Sequence, residues 1–162
     1  MLKVKYSLRD KKRKETIMKK VKIKSFNVSG MSIRTNNEKE MNPETSTIFE
    51  LWNILFEKNI LNITTASETY GVYSSYENND NGDYTVVAGI KTDKKNEFET
   101  ITIQEGEYLV FTKDGSIPKA VIEAWEDVWS YFNSEVEEKR AYKTDFERYI
   151  GVNKVEVYIG IK

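Results

Sequence analysis

The sequence predicts an α+β fold built from duplicated βαββ modules with pseudo-twofold symmetry, two main helices packing on a mostly antiparallel sheet. Three observations predict it. Several runs alternate apolar and polar residues with period two, as half-buried strands do. Two stretches, Ile48-Leu51-Trp52-Leu55 and Val121-Trp125-Val128-Phe132, place apolar residues at helical spacing. Val87-Ala88-Gly89-Ile90-Lys91 is echoed by Tyr158-Ile159-Gly160-Ile161-Lys162, so the two halves, about 19–91 and 98–162, end alike.

The elements follow in order. Alternation from Lys19 through Val21, Ile23, Met31 and Ile33 reads as one strand with an irregularity near Ser29-Gly30. Asn42 as N-cap and Pro43 at the first helical position open a helix that ends near Lys58. Tyr70–Tyr76 and Tyr84–Lys91 form a hairpin around the polar turn holding Asn81-Gly82. The cycle restarts with strand segments at 98–103 and 107–112, and Asp114-Gly115 turns the chain into a second helix capped by Ser116. Thr144–Ile150 and Val155–Ile161 close the chain as a second hairpin. Level ends also set Tyr76 against Tyr149. Each half has one helix to cover its apolar sheet face, yet neither is expected to fold well alone, so the halves are expected to share one core.

Composition limits the chemistry. The 162 residues suit one domain, and ten Tyr, seven Phe and three Trp supply a sizeable core. With no Cys and no His, thiolate and imidazole chemistry drop out, and no metal site or cofactor is expected. Carboxylates, hydroxyls and amines remain as catalytic groups. The net charge of -1 hides an asymmetry, because residues 1–24 hold eleven basic residues and two acids. Residues 1–17, ending just before Met18, are read as a basic, disordered leader, with the domain proper at 18–162. No apolar run suits a membrane span or a secretory signal, so the expected location is the cytoplasm, away from the membrane.

The final hairpin carries the candidate site. A four-residue loop, 151–154, pairs Ile150 with Val155, Tyr149 with Glu156 and Glu147 with Tyr158. Two carboxylates and two phenols then share a face opposite the apolar row Val155, Val157, Ile159. Such a face either meets solvent as ordinary strand surface or forms one asymmetric site, since the first hairpin offers Ser74, Tyr76, Thr85 and Val87 there instead. Aromatic rings with carboxylates suit a lipophilic cation and disfavour an anion. Trp52, Leu55, Val121 and Val128 read as core; Trp125 and Trp129 divide between core and pocket wall.

Asp145-Phe146-Glu147-Arg148-Tyr149 followed by Val155-Glu156-Val157-Tyr158-Ile159-Gly160-Ile161 resembles the closing hairpin of the GyrI-like, or AraC-type, effector-binding domains. Tyr84–Ile90 resembles the mid-domain strand of that family, and Trp125 with Trp129 its aromatic second helix. The likeness spans Lys19 to Lys162. It implies two βαββ modules about a groove that takes hydrophobic, often cationic, compounds. Glu147 matches the family's buried ligand-facing glutamate, and Glu156 and Tyr158 match last-strand positions lining the pocket. Gly160 departs from the family's common proline. No helix-turn-helix pattern precedes Lys19, so direct contact with nucleic acid is not expected. The expected ligand-binding residues are Glu147, Tyr149, Glu156, Tyr158, Trp125, Trp129 and Tyr76. The resemblance implies a stand-alone effector-binding domain connected with transcription regulation or drug response, open to a protein partner. Its alternative is a hydrolase with Glu147 as general base or acid, partnered by Tyr158 or Tyr149.

Overall fold

The computed structural model describes residues 2–4, 16–59, 61–64 and 67–162. The elements are β1 (Leu2–Val4), β2 (Thr16–Ile23), β3 (Phe26–Thr35), α1 (Asn37–Met41), α2 (Ile48–Glu57), β4 (Thr69–Ser74), β5 (Tyr84–Lys91), β6 (Glu99–Ile103), β7 (Gly106–Asp114), α3 (Lys119–Phe132), β8 (Thr144–Tyr149) and β9 (Lys154–Gly160). Among the described residues all strands join one nine-stranded sheet in the order β1-β2-β7-β9-β8-β4-β5-β3-β6. Every pairing is antiparallel.

The duplication is written in that order. The unit β3-α2-β4-β5 repeats as β7-α3-β8-β9, and β4 pairs with β8 at the junction between them. The strand preceding each unit crosses to the other unit: β2 pairs with β7, and β6 with β3. This exchange explains why the halves share a core. The expected single strand over 19–33 is therefore two strands, broken at Lys24-Ser25, and its pairing with β5 runs unbroken through Ser29-Gly30. Of the expected leader, residues 1 and 5–15 lie outside the described residues, while the backbone of Leu2–Val4 and of Thr16–Ile17 is strand.

The helices cover one face of the sheet. Ala120, Ala124, Val128 and Tyr131 of α3 bury Leu109, Phe111, Val155, Val157 and Ile159. Leu51 and Leu55 of α2 pack on Ala88 with Met31 and Ile33. Both helices start later than the caps suggested. Asn42 terminates the one-turn α1, which Asn36 caps through Lys39 N–H at 2.9 Å, and Thr47 precedes α2. Pro118, not Ser116, precedes α3. Among the described residues no helix covers the other face; Val28, Tyr70, Val72, Val87, Tyr108, Val110, Phe146 and Tyr158 cluster there, flanked by Val21, Ile23, Phe26 and Ile101 of the exchanged strands and β3.

At one point β3 and β5 come too close for side chains. Gly30 pairs with Gly89, and a Cβ on Gly30 would stand 1.9 Å from the Ala88 carbonyl oxygen. Gly30→Ala is expected to lose about 1–3 kcal/mol by forcing the strands apart. Urea denaturation checks this, and an unchanged midpoint would contradict it.

Candidate functional site

The register of the last hairpin decides what faces what. Tyr149 pairs with Val155, Arg148 with Glu156, Glu147 with Val157 and Phe146 with Tyr158. The turn is one residue shorter than expected: Ile150 N–H donates to the Lys154 carbonyl at 3.0 Å, and Gly151 takes a left-handed φ of 61°. Glu147 and Tyr149 therefore lie on the helix-covered face with Val155 and Val157, whereas Glu156 and Tyr158 lie on the opposite face with Arg148 and Phe146. The expected face of two carboxylates and two phenols does not exist. Pattern alone favoured the wrong register because it counted Glu147 as a surface residue, and Glu147 is a core residue with 2% exposure.

Its burial is chemically supported. Oε1 accepts from Tyr73 Oη at 2.7 Å and from Trp125 Nε1 at 2.6 Å, and Oε2 accepts from Tyr149 Oη at 2.6 Å. Across the junction Glu147 faces Gly71, where a Cβ would lie 2.7 Å from Oε2 and 3.3 Å from the Trp52 ring. Only a glycine leaves the carboxylate its space. Trp52 from α2 meets Tyr149 edge-on at 5.1 Å, and Trp125 from α3 meets Tyr73 edge-on at 5.0 Å. The carboxylate thus sits in an aromatic cage between the two helices, at the junction of the two units.

Among the described residues no lysine or arginine pairs with Glu147. Burial pushes its carboxyl above the ordinary value, against the opposing pull of the Tyr149, Trp125 and Tyr73 donors. Burial, and next the charge of Glu147, push the Tyr73 and Tyr149 hydroxyls far upward, so both stay protonated donors.

The remaining expected residues separate. Trp129 lies beside Trp125, ring centroids 6.3 Å apart, and makes no hydrogen bond to Glu147. Tyr76 does not reach Glu147; it donates to Asp145 Oδ2 at 2.6 Å and packs on Tyr84 and Tyr142. Glu156 accepts from Tyr158 Oη at 2.6 Å, and Tyr158 stacks on Phe146 at 4.3 Å, all on the far face. Sequence reasoning missed Tyr73, Gly71 and the cage role of Trp52. The repeat held the signal for Tyr73: levelling Val86 with Val157 makes their strand partners, Tyr73 and Glu147, equivalent positions of the two units.

Among the described residues no cluster of acidic side chains could hold a metal, and no helix is long and apolar enough to cross a membrane. No curated protein matches the sequence. An integron cassette protein from the mobile metagenome of Vibrio cholerae is 35% identical, with 90% of this chain and 95% of that one aligned and a TM-score of 0.82. A putative bacterial transcription regulation protein from Staphylococcus aureus is 16% identical over 90% of this chain and 98% of its own, with a TM-score of 0.71. A protein described as SAV2435 bound to tetraphenylphosphonium is likewise 16% identical, over 90% and 94%, with a TM-score of 0.71. These last two share the fold. The GyrI-like effector-binding architecture expected from the last hairpin is therefore the architecture found. Because the family model of Cass2, the integron-associated effector binding protein, matches residues 21–161, nearly the whole chain, the protein belongs to that family of effector-binding proteins.

Proposed function

We propose that this protein binds a hydrophobic organic cation in the aromatic cage between α2 and α3, with Glu147 as its electrostatic anchor. The observation that carries the reading is a fully buried carboxylate held by three neutral donors and, among the described residues, by no protein cation. A carboxylate in that setting lacks a countercharge, and a ligand cation would supply one. The faces of Trp52, Trp125, Tyr73 and Tyr149 would add quadrupole attraction and apolar contact area. Since the cage is closed over Glu147, binding would require Trp125, Tyr149 or Trp52 to swing aside and the ligand to replace their contacts. The tetraphenylphosphonium complex of a protein with the same fold is consistent with this ligand class.

Calorimetric titration with tetraphenylphosphonium and with neutral triphenylphosphine oxide tests the reading. Glu147→Gln is expected to weaken the phosphonium by about 1–3 kcal/mol, the worth of a contact to a charged group, and the neutral compound far less. Equal phosphonium affinity in wild type and variant would remove Glu147 from the site. Mass analysis after incubation with ester electrophiles separates binding from the hydrolase alternative, which requires turnover that Glu147→Gln abolishes.

A further inference from the structure

Behind the cage, on the face opposite α2 and α3, the sheet holds a concavity of ≈ 290 Å³. Its aromatic walls are Phe26, Tyr70, Phe146 and Tyr158, with Phe26 5.3 Å from Tyr70 and 5.6 Å from Phe146. Arg148 lines it with them. Because it lies between Glu147 and Tyr149 on β8, its side chain points to the face opposite the cage. We propose that this concavity is a second ligand site, for a small flat aromatic anion whose carboxylate is gripped by Arg148.

Charge and geometry both point there. Arg148 and Lys91 line the concavity, and Lys22 and Lys24 border it, with no carboxylate within 4.0 Å of either rim lysine among the described residues. Against these four cations stand Glu68 and Glu156. Their hold on Arg148 is loose: Nη2 is 3.2 Å from Glu68 and Nη1 is 3.7 Å from Glu156, one contact to each carboxylate instead of a two-pronged grip on one. The Arg148 side chain is 38% exposed and that of Glu68 45%, so this pair resembles a surface pair of small net worth, while the less exposed Glu156 stands farther off. A ligand carboxylate that takes both N–H groups in a fork would displace them. Lys91 reinforces the same spot, its Nζ 5.0 Å above the Phe26 ring and 3.9 Å from Glu68. The volume lies near the lower end for small-molecule pockets, which selects one or two fused rings.

Titration of the full chain with 2-naphthoate tests the proposal, with inorganic phosphate and 2-naphthalenemethanol as comparators. Saturable binding is expected, weakened about 10-fold or more in Arg148→Gln, the usual loss when a charged hydrogen bond is removed. Arg148→Lys keeps the charge but not the fork and should also lose affinity. Glu147→Gln should leave naphthoate binding unchanged, which keeps this result independent of the cation site. The proposal is overturned by an absence of saturation, by wild-type affinity in both Arg148 variants, by phosphate or the alcohol binding as tightly as naphthoate, or by loss in Glu147→Gln alone. Should Arg148→Gln melt early, Arg148→Lys decides.

Discussion

Asp145→Ala is expected to destabilise the protein by about 3–5 kcal/mol, the cost of stranding one partner of a buried ion pair. Asp145 is fully buried, and its carboxylate serves three donors from three segments: Gly160 N–H at 2.9 Å, Arg140 Nη2 at 2.7 Å and Tyr76 Oη at 2.6 Å. Arg140 is itself buried, lies 4.4 Å from the Tyr142 ring and already holds an Nε without a hydrogen-bond partner. Loss of Asp145 leaves that guanidinium with Asp80, which is 55% exposed on the loop between β4 and β5, as its one acid within reach among the described residues. Asp80→Ala is expected to cost under about 1 kcal/mol, because an exposed carboxylate returns to water easily. Urea denaturation at constant m measures both. A loss below about 1 kcal/mol in Asp145→Ala would mean that water compensates the arginine, and the pair would cease to be the fastening of the last two strands to the β4–β5 loop.

Cation affinity, if anchored at Glu147, is expected to fall about tenfold for each unit of pH below the elevated value of that carboxyl, because a cation favours the ionised form. Binding should release a proton in that range. Calorimetry in two buffers of different ionisation heat reads the proton directly, and Glu147→Gln should remove both the release and the pH slope. Stability carries the opposite signature. The folded carboxyl lies above its ordinary 4.5, so between the two values the folded state holds the proton that the unfolded chain has lost. Relative to Glu147→Gln, wild type should therefore be undiminished below the ordinary value, lose stability as pH rises through the window, and stay lower above it. Melting curves of the two proteins that run parallel across that range would show that the three donors cancel the cost of burial.

Gly71 and Tyr73 show why the site was only half legible. Glu147, Tyr149 and Trp125 could be singled out from the last hairpin and the second helix, and the structure brings these three together. The other half of the cage comes from β4 and α2, more than seventy residues away for Tyr73, and reaches Glu147 only because β4 pairs with β8. Alternation within one hairpin contains nothing about that junction.

What the sequence by itself determined is the order of elements from α2 onward, the two helical stripes and the duplicated unit, since each rests on periodicity and turn chemistry confined to a few neighbouring residues. The exchange of β2 and β6 between units, the side of the sheet on which Glu147 lies, and its separation from Glu156 and Tyr158 were decided by tertiary structure. The reason is that strand pairing across the chain chooses among registers that local pattern leaves close in merit. A buried carboxylate wins its place on the apolar face only after Tyr73, Tyr149 and Trp125 have been delivered there to satisfy it.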